Sequence, residues 1–190
     1  MNNLANTLLA QHDLAGARTL HEHVLARRRD VLGEEDPDTV ISRGNLASTL
    51  QAMGDLTGAR TLRERVLAAH VAAYPESHPT TLISINNLAM TFQAQGDLVG
   101  ARTLLERVLA GRRSVYGDEH LRTLESIHSL ASISWRCNER RAALALMTQA
   151  VDGSTAKLGA DHPTTRRRTK TLAQMRAALA DRPTPPTPTP

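Results

Sequence analysis

The segment INNLAMTFQAQGDLVGARTLLERVLA, residues 85–110, carries two apolar stripes separated by a break. Leu82, Ile85, Leu88, Ala89 and Phe92 recur three and four residues apart, the spacing of one face of an amphipathic helix. Gly96 interrupts the pattern. Leu98, Ala101, Leu104, Leu105, Val108 and Leu109 then resume it, so a second helix is predicted beyond the glycine. A glycine just past the last periodic residue suits a helix end, because left-handed backbone costs it least. Pro79 and Pro163 stand just inside the start of a predicted first helix, where a missing N–H costs nothing.

This two-helix pattern recurs along the chain. Asn-Leu-Ala occurs at 3–5, 45–47 and 87–89, followed by Ser-Leu-Ala at 129–131 and Thr-Leu-Ala at 171–173, each step being 42 residues. A second marker keeps the same register: HDLAGARTL from His12, GDLTGARTL from Gly54, GDLVGARTL from Gly96 and a degenerate NERRAALAL from Asn138. A third precedes the units as EDPDT at 35–39, SHPTT at 77–81, EHLRT at 119–123 and DHPTT at 161–165. Fixed periods of this length signal a helical repeat architecture. Alanine returns at Ala47, Ala89 and Ala131 and at Ala59, Ala101 and Ala143, which suits helices packed too closely for larger side chains.

Composition agrees with an all-α fold. Of 190 residues, 41% are hydrophobic and four are aromatic (Tyr74, Phe92, Tyr116 and Trp135), leaving Ala and Leu to build the core. One cysteine, Cys137, excludes an intramolecular disulfide, and no zinc spacing is present. No long apolar run or signal-type segment occurs, so no membrane association and a cytoplasmic location are expected. The net charge of +4 is nearly all arginine. Such an excess could attract acidic partners, yet the Arg-over-Lys bias with abundant alanine is also what a GC-rich genome produces.

Ile85-x-x-Leu88-Ala89-x-x-Phe92 followed by Ala101-x-x-x-Leu105 resembles the tetratricopeptide signature, with Ile in place of its Trp and Ala in place of its Gly. The period is eight residues longer than the family's usual one. With the lengthened second helix, the DHP-x-T segment and the NNLA core, it looks like the tetratricopeptide repeats of kinesin light chains and their bacterial relatives. The resemblance implies a right-handed superhelical solenoid over residues 1–181. Its units would be about 1–36, 37–78, 79–120 and 121–160, with a capping helix at 163–181. The Pro/Thr-rich stretch 182–190 is expected to be a disordered tail, serving as a linker or a Pro-rich ligand. The first helix lacks a lead-in turn, which suggests a piece of a longer array or a late start.

Catalytic chemistry is not indicated: no phosphate-binding glycine loop and no nucleophile elbow occur, and no cofactor is expected. His21-Glu22-His23 has the wrong spacing for a shared metal ion on a helix, and both histidines are expected on the solvent face. His78, His120 and His162 share one register position before a first helix and read as structural turn residues. Cys137 has no paired base in its register and reads as an inert thiol. The arginine clusters at 27–29, 111–113 and 166–168 lack interleaved aromatics, so a solvated basic face is expected rather than a nucleic-acid surface.

Stacking in the manner of the family would make the first helices line a concave groove. The face left open by packing would present Asn3 and Asn6, then Ile41, Asn45, Ser48 and Gln51, then Ile83, Asn86, Asn87, Met90 and Gln93. It would continue through His128, Ser129, Ser132 and Trp135 to Arg167 and Lys170. An Asn offers both donor and acceptor to a peptide bond. In tetratricopeptide proteins that hold extended peptides, asparagines at the position of Asn45 and Asn87 grip the ligand backbone; the resemblance implies that role here. A non-catalytic scaffold for a protein or extended peptide is therefore expected. Self-association through the uncapped N-terminal end is the alternative, and nucleic-acid binding through the arginines is the weaker one.

Overall fold

The computed structural model describes residues 1–180, and the Pro/Thr-rich stretch lies outside them. Among the described residues there are nine helices and no strand. They are α1 (Asn2–Ala10), α2 (Leu14–Leu32), α3 (Pro37–Ala52), α4 (Leu56–Ala73), α5 (Pro79–Gln95), α6 (Leu98–Tyr116), α7 (Leu121–Arg136), α8 (Arg140–Leu158) and α9 (Pro163–Ala180). Two compact units are formed, Met1–Gly111 and the part from Arg112 onward.

The sequence markers are the helix ends. Gly54 and Gly96 adopt φ of 85° and 84°, and the degenerate copies hold the same conformation, with His12 at 62° and Asn138 at 67°. The chain then folds back on the helix it has just left. The N–H of Asp13, Asp55, Asp97 and Glu139 donates to the carbonyl of Leu8, Leu50, Phe92 and Ser134, each at 2.9 Å, which closes the last turn. Asp13, Asp55 and Asp97 also cap the next helix, accepting from the N–H of Gly16, Gly58 and Gly100 at 2.9, 2.9 and 2.8 Å. The capping carboxylate lies where a side chain at the third residue would go: a Cβ on Gly58 would stand 2.5 Å from Asp55 Oδ2. One short marker thus ends one helix and starts another.

The lead-in marker works differently. The Asp36 carboxylate accepts the N–H of Asp38 at 2.8 Å. Nδ1 of His78, His120 and His162 accepts the N–H of Thr80, Arg122 and Thr164 at 3.3, 3.1 and 3.2 Å. The turn histidines are N-caps. Tyr74 and Tyr116 stack on His78 and His120, with ring centroids 4.4 and 4.6 Å apart. The Thr that closes each marker (Thr39, Thr81, Thr123 and Thr165) turns inward and is buried.

Ala5, Ala47, Ala89 and Ala131 on first helices, and Ala17, Ala59, Ala101 and Ala143 on second helices, are all essentially inaccessible to solvent. Leu46 and Leu50 pack with Ala59 in the first unit. In the second, Ala131, Met147, Leu172 and Met175 form one cluster, with Trp135 and Leu144 against it. Arg166, at the register position of Val40, Leu82 and Leu124, is exposed.

Candidate binding surface

Side-chain hydrogen bonds between a second helix and the next first helix decide which polar groups remain open. They recur at one register position, always 14 residues apart. Arg28 donates to the Ser42 hydroxyl at 2.9 Å, His70 Nδ1 lies 2.6 Å from that of Ser84, and Arg112 donates to that of Ser126 at 2.9 Å. In the last copy the roles exchange, and Arg168 on the first helix donates to Ser154 on the second. Arg28 and Arg112 also donate to the Asp38 and Arg122 carbonyls. One arginine of each cluster, Arg28, Arg112 or Arg168, is therefore a packing group, which corrects the expected solvated face at those positions. The methylene stems of Arg28, Arg112 and Arg168 let these three guanidiniums bridge helices that apolar residues hold apart.

A second set of polar contacts spans 28 residues. His21 is fully buried and its Nδ1 lies 2.9 Å from the Thr49 hydroxyl. The solvent-face expectation for His21 is wrong, whereas Glu22 and His23 are exposed. The reason is the spacing Ala17–His21–Val24, which lies on the buried stripe of α2. Burial pushes the His21 imidazole below its ordinary pKa. Arg63, one period later, is also buried and donates to Gln51 Oε1 at 2.5 Å, to the Asn87 carbonyl at 2.6 Å and to the Thr91 hydroxyl. Its pKa too is lowered by desolvation.

Against this frame the candidate residues divide. In the first unit Asn3, Asn6, Ser48, Asn87, Met90 and Gln93 are exposed, and Asn45, Gln51 and Asn86 half-buried. The side-chain amides of Asn3, Asn6, Asn45 and Asn87 make no hydrogen bond among the described residues. Asn86 Nδ2 lies 3.9 Å from Met90 Sδ, and the Ser48 hydroxyl donates to the Gly44 carbonyl at 3.2 Å. Gln51 differs, because its amide oxygen is held by Arg63 and, at 3.2 Å, by Thr91. Beside the open amides stand Ile41, Ile83 and Met90, each at least half exposed.

In the second unit His128, Ser129, Ser132 and Trp135 are half-buried, while Arg167 and Lys170 are exposed. The Ser132 hydroxyl donates to the His128 carbonyl at 2.9 Å. The Arg140 guanidinium lies 4.1 Å over the Trp135 ring, an arrangement favoured by the ring's negative face. His128, Ser129 and Arg167 line an open pocket between the first turns of α7 and α9. Burial and the neighbouring Arg168 and Arg167 lower the His128 pKa. No group of three potential metal ligands occurs among the described residues, and no helix there is long and apolar enough to cross a membrane.

The polar contacts between helices were missed from sequence although a signal was present. Positions 28, 70, 112 and 154 read Arg, His, Arg, Ser, and positions 42, 84, 126 and 168 read Ser, Ser, Ser, Arg. The complementary exchange in the last pair is visible once the two columns are compared.

The tetratricopeptide repeat model matches residues 1–72, 42–114 and 80–156. Among solved structures, the nearly identical TPR-like repeats of a protein assigned as a kinesin light chain from Podosopora anserina share 30% identity at a TM-score of 0.86. The match covers 95% of this chain and 86% of that one. A variant of the same repeats gives 29% identity and a TM-score of 0.86, over 95% and 85% of the two chains. BtubC (BKLC) from P. vanneervenii shares the fold at a TM-score of 0.69 and 17% identity, over 98% and 82%. No curated protein sequence matches the chain. Tetratricopeptide repeats generally mediate protein–protein interaction and are generally non-catalytic. With three overlapping matches and helix pairs recurring every 42 residues, the chain belongs to the tetratricopeptide repeat family, in its kinesin light chain-like form.

Proposed function

We propose that this chain is a non-catalytic scaffold that holds an extended peptide or protein segment along the open face of its first helices. One observation carries the reading. The side-chain amides recurring at Asn3, Asn45 and Asn87 make no hydrogen bond among the described residues, although the register places them beside the Leu-Ala packing pair. The bland explanation, that these amides tie neighbouring helices together, is weakened because Arg28, His70, Arg112 and Arg168 already do so. Each amide can satisfy one C=O and one N–H of an extended chain. Ile41, Ile83 and Met90 add apolar contact alongside. The engagement of Arg28, Arg112 and Arg168 in packing counts against a nucleic-acid surface.

The test is a random-peptide display selection on the immobilised protein, followed by fluorescence anisotropy of the enriched peptides. Asn45→Ala with Asn87→Ala should weaken them at least about tenfold, as expected for two lost hydrogen-bonding side chains at roughly 1 kcal/mol each. The melting temperature should hardly change. Falling stability with unaltered affinity would assign the amides to structure instead. Sedimentation across a concentration series addresses the self-assembly alternative, which a concentration-independent monomer excludes.

A further inference from the structure

The second unit holds a pocket of about 520 Å³ between α7 and α9, whose lining includes Arg122, Glu125, His128, Ser129, Arg167 and Arg168. Its charge is unbalanced. Three guanidiniums line it against one carboxylate, and Glu125 is shared with Arg112, 3.4 Å away on its other side. Arg122, Arg167 and Arg168 make no ion pair among the described residues, although Arg122 does approach the Tyr116 ring at 5.9 Å.

Arg168 is the anomaly. It is 3% exposed, donates to Ser154, and its Nε is buried with no hydrogen-bond partner. His128 Nδ1 in the same pocket is likewise buried and unpartnered. At the other copies of this helix–helix contact the guanidinium has an acid: Arg28 pairs with Asp38 at 3.5 Å, and Arg112 with Glu125. A buried cation with no carboxylate in ion-pair contact is costly, and its orphaned donor adds to that cost. The ion-paired acid that the Arg28 and Arg112 copies draw from the chain is missing at Arg168, where the surface opens into a pocket.

We propose that this pocket binds a phosphate monoester. The lining groups leave an excess of two positive charges, and a phosphate monoester carries close to two negative ones at neutral pH. A single carboxylate would neutralise only half of that excess. Guanidinium forks match tetrahedral oxyanions by paired hydrogen bonds, and Ser129 and neutral His128 each add a donor. The first turns of α7 and α9 contribute the positive ends of two helix dipoles. The site shares the first-helix face with the peptide reading without depending on it, since the open amides of Asn45 and Asn87 lie in the other unit.

The probes are a labelled serine peptide in phosphorylated and unphosphorylated forms, and inorganic phosphate, titrated at low salt on the full chain. The phosphopeptide, inorganic phosphate or both should bind, the phosphorylated peptide at least about tenfold tighter than its twin if the source is a peptide. Capture of inorganic phosphate without the phosphopeptide assigns the site to a small free phosphate compound rather than a peptide and leaves the site standing. Because Arg168 is buried, the exposed neighbours carry the mutational test: Arg167→Gln and Arg122→Gln should each lose about tenfold, while Arg141→Gln on α8 stays within about twofold. Asn45→Ala with Asn87→Ala should leave phosphate capture intact, so failure of the amide reading and failure of this site appear in different variants. The proposal is overturned if no phosphate form binds, or if Arg141→Gln costs as much as Arg167→Gln.

Discussion

The helix-ending turn offers a quantitative check, because its four copies put different residues into one conformation. Gly54 and Gly96 have φ of 85° and 84°, and a Cβ built on either meets nothing within 4 Å. A substitution there therefore reports backbone cost alone, with no clash to confound it. An L-residue in left-handed backbone costs roughly 1–2 kcal/mol. Replacing glycine returns about 0.4–1 kcal/mol by restricting the unfolded chain. Gly96→Ala should consequently destabilise by about 1 kcal/mol, and Gly96→Asn by about half that, since a short amide tolerates this region. The reciprocal changes should run the other way. His12→Gly relieves a φ of 62° and should gain some tenths of a kcal/mol, whereas Asn138→Gly at 67° should be nearly neutral. Urea unfolding followed by circular dichroism measures all four, and an unchanged slope would show that the denatured state is not responsible. If Gly96→Ala is neutral or stabilising, or costs no more than Gly96→Asn, the conformational account of the marker is wrong.

The buried Thr of the lead-in marker gives a prediction of opposite sign. The hydroxyls of Thr39, Thr81 and Thr165 are buried with no hydrogen-bond partner, so Thr81→Val, nearly identical in shape, should stabilise by about 1 kcal/mol in the same assay. Acid should destabilise the fold: His21, His70 and His128 have folded-state pKa values below the ordinary 6.5, so the unfolded chain takes up protons first. Stability should be fully present above about pH 7 and fall as pH drops through 6.5 toward the depressed folded values. Replacing His21 by Leu and Thr49 by Ile, the residues found two periods on at Leu105 and Ile133, should shrink that pH dependence; an unchanged slope would exclude His21 as a contributor. The exposed pairs Arg18–Glu22 and Arg60–Glu64, both at 2.7 Å, should contribute little: Glu64→Gln should shift stability by less than about 0.5 kcal/mol.

Much of the fold was legible because each sequence marker has a local cause. A positive φ selects Gly or Asn, a capping Asp or His bonds a backbone N–H two or three residues on, and Ala sits where helices are closest. These depend on neighbours along the chain, so periodicity and residue type suffice to find them. What escaped depends on partners 14 and 28 residues apart that lie on different helices, so the periodicity of a single helix does not relate them. His21 read as surface because histidine is polar, although Ala17 and Val24 already placed it on the buried stripe. Arg28, Arg112 and Arg168 read as a basic face because arginine runs usually are one; only the Ser opposite each shows otherwise. Within the candidate surface, the open amides of Asn45 and Asn87 could be anticipated, whereas the engagement of Gln51 by Arg63 could not. Position on the first-helix face was set by register, but availability was set by a partner on another helix.

The central claim, that ligand lies along the first helices, is tested most directly by photo-crosslinking. A benzophenone amino acid replaces either Met90 on α5 or Val99 on α6, two apolar residues that are 50% and 66% exposed, and a display-selected peptide is irradiated with each variant. The account predicts an adduct at position 90 that excess unlabelled peptide abolishes, with background labelling at position 99. Equal labelling at both positions, or labelling confined to 99, would contradict it.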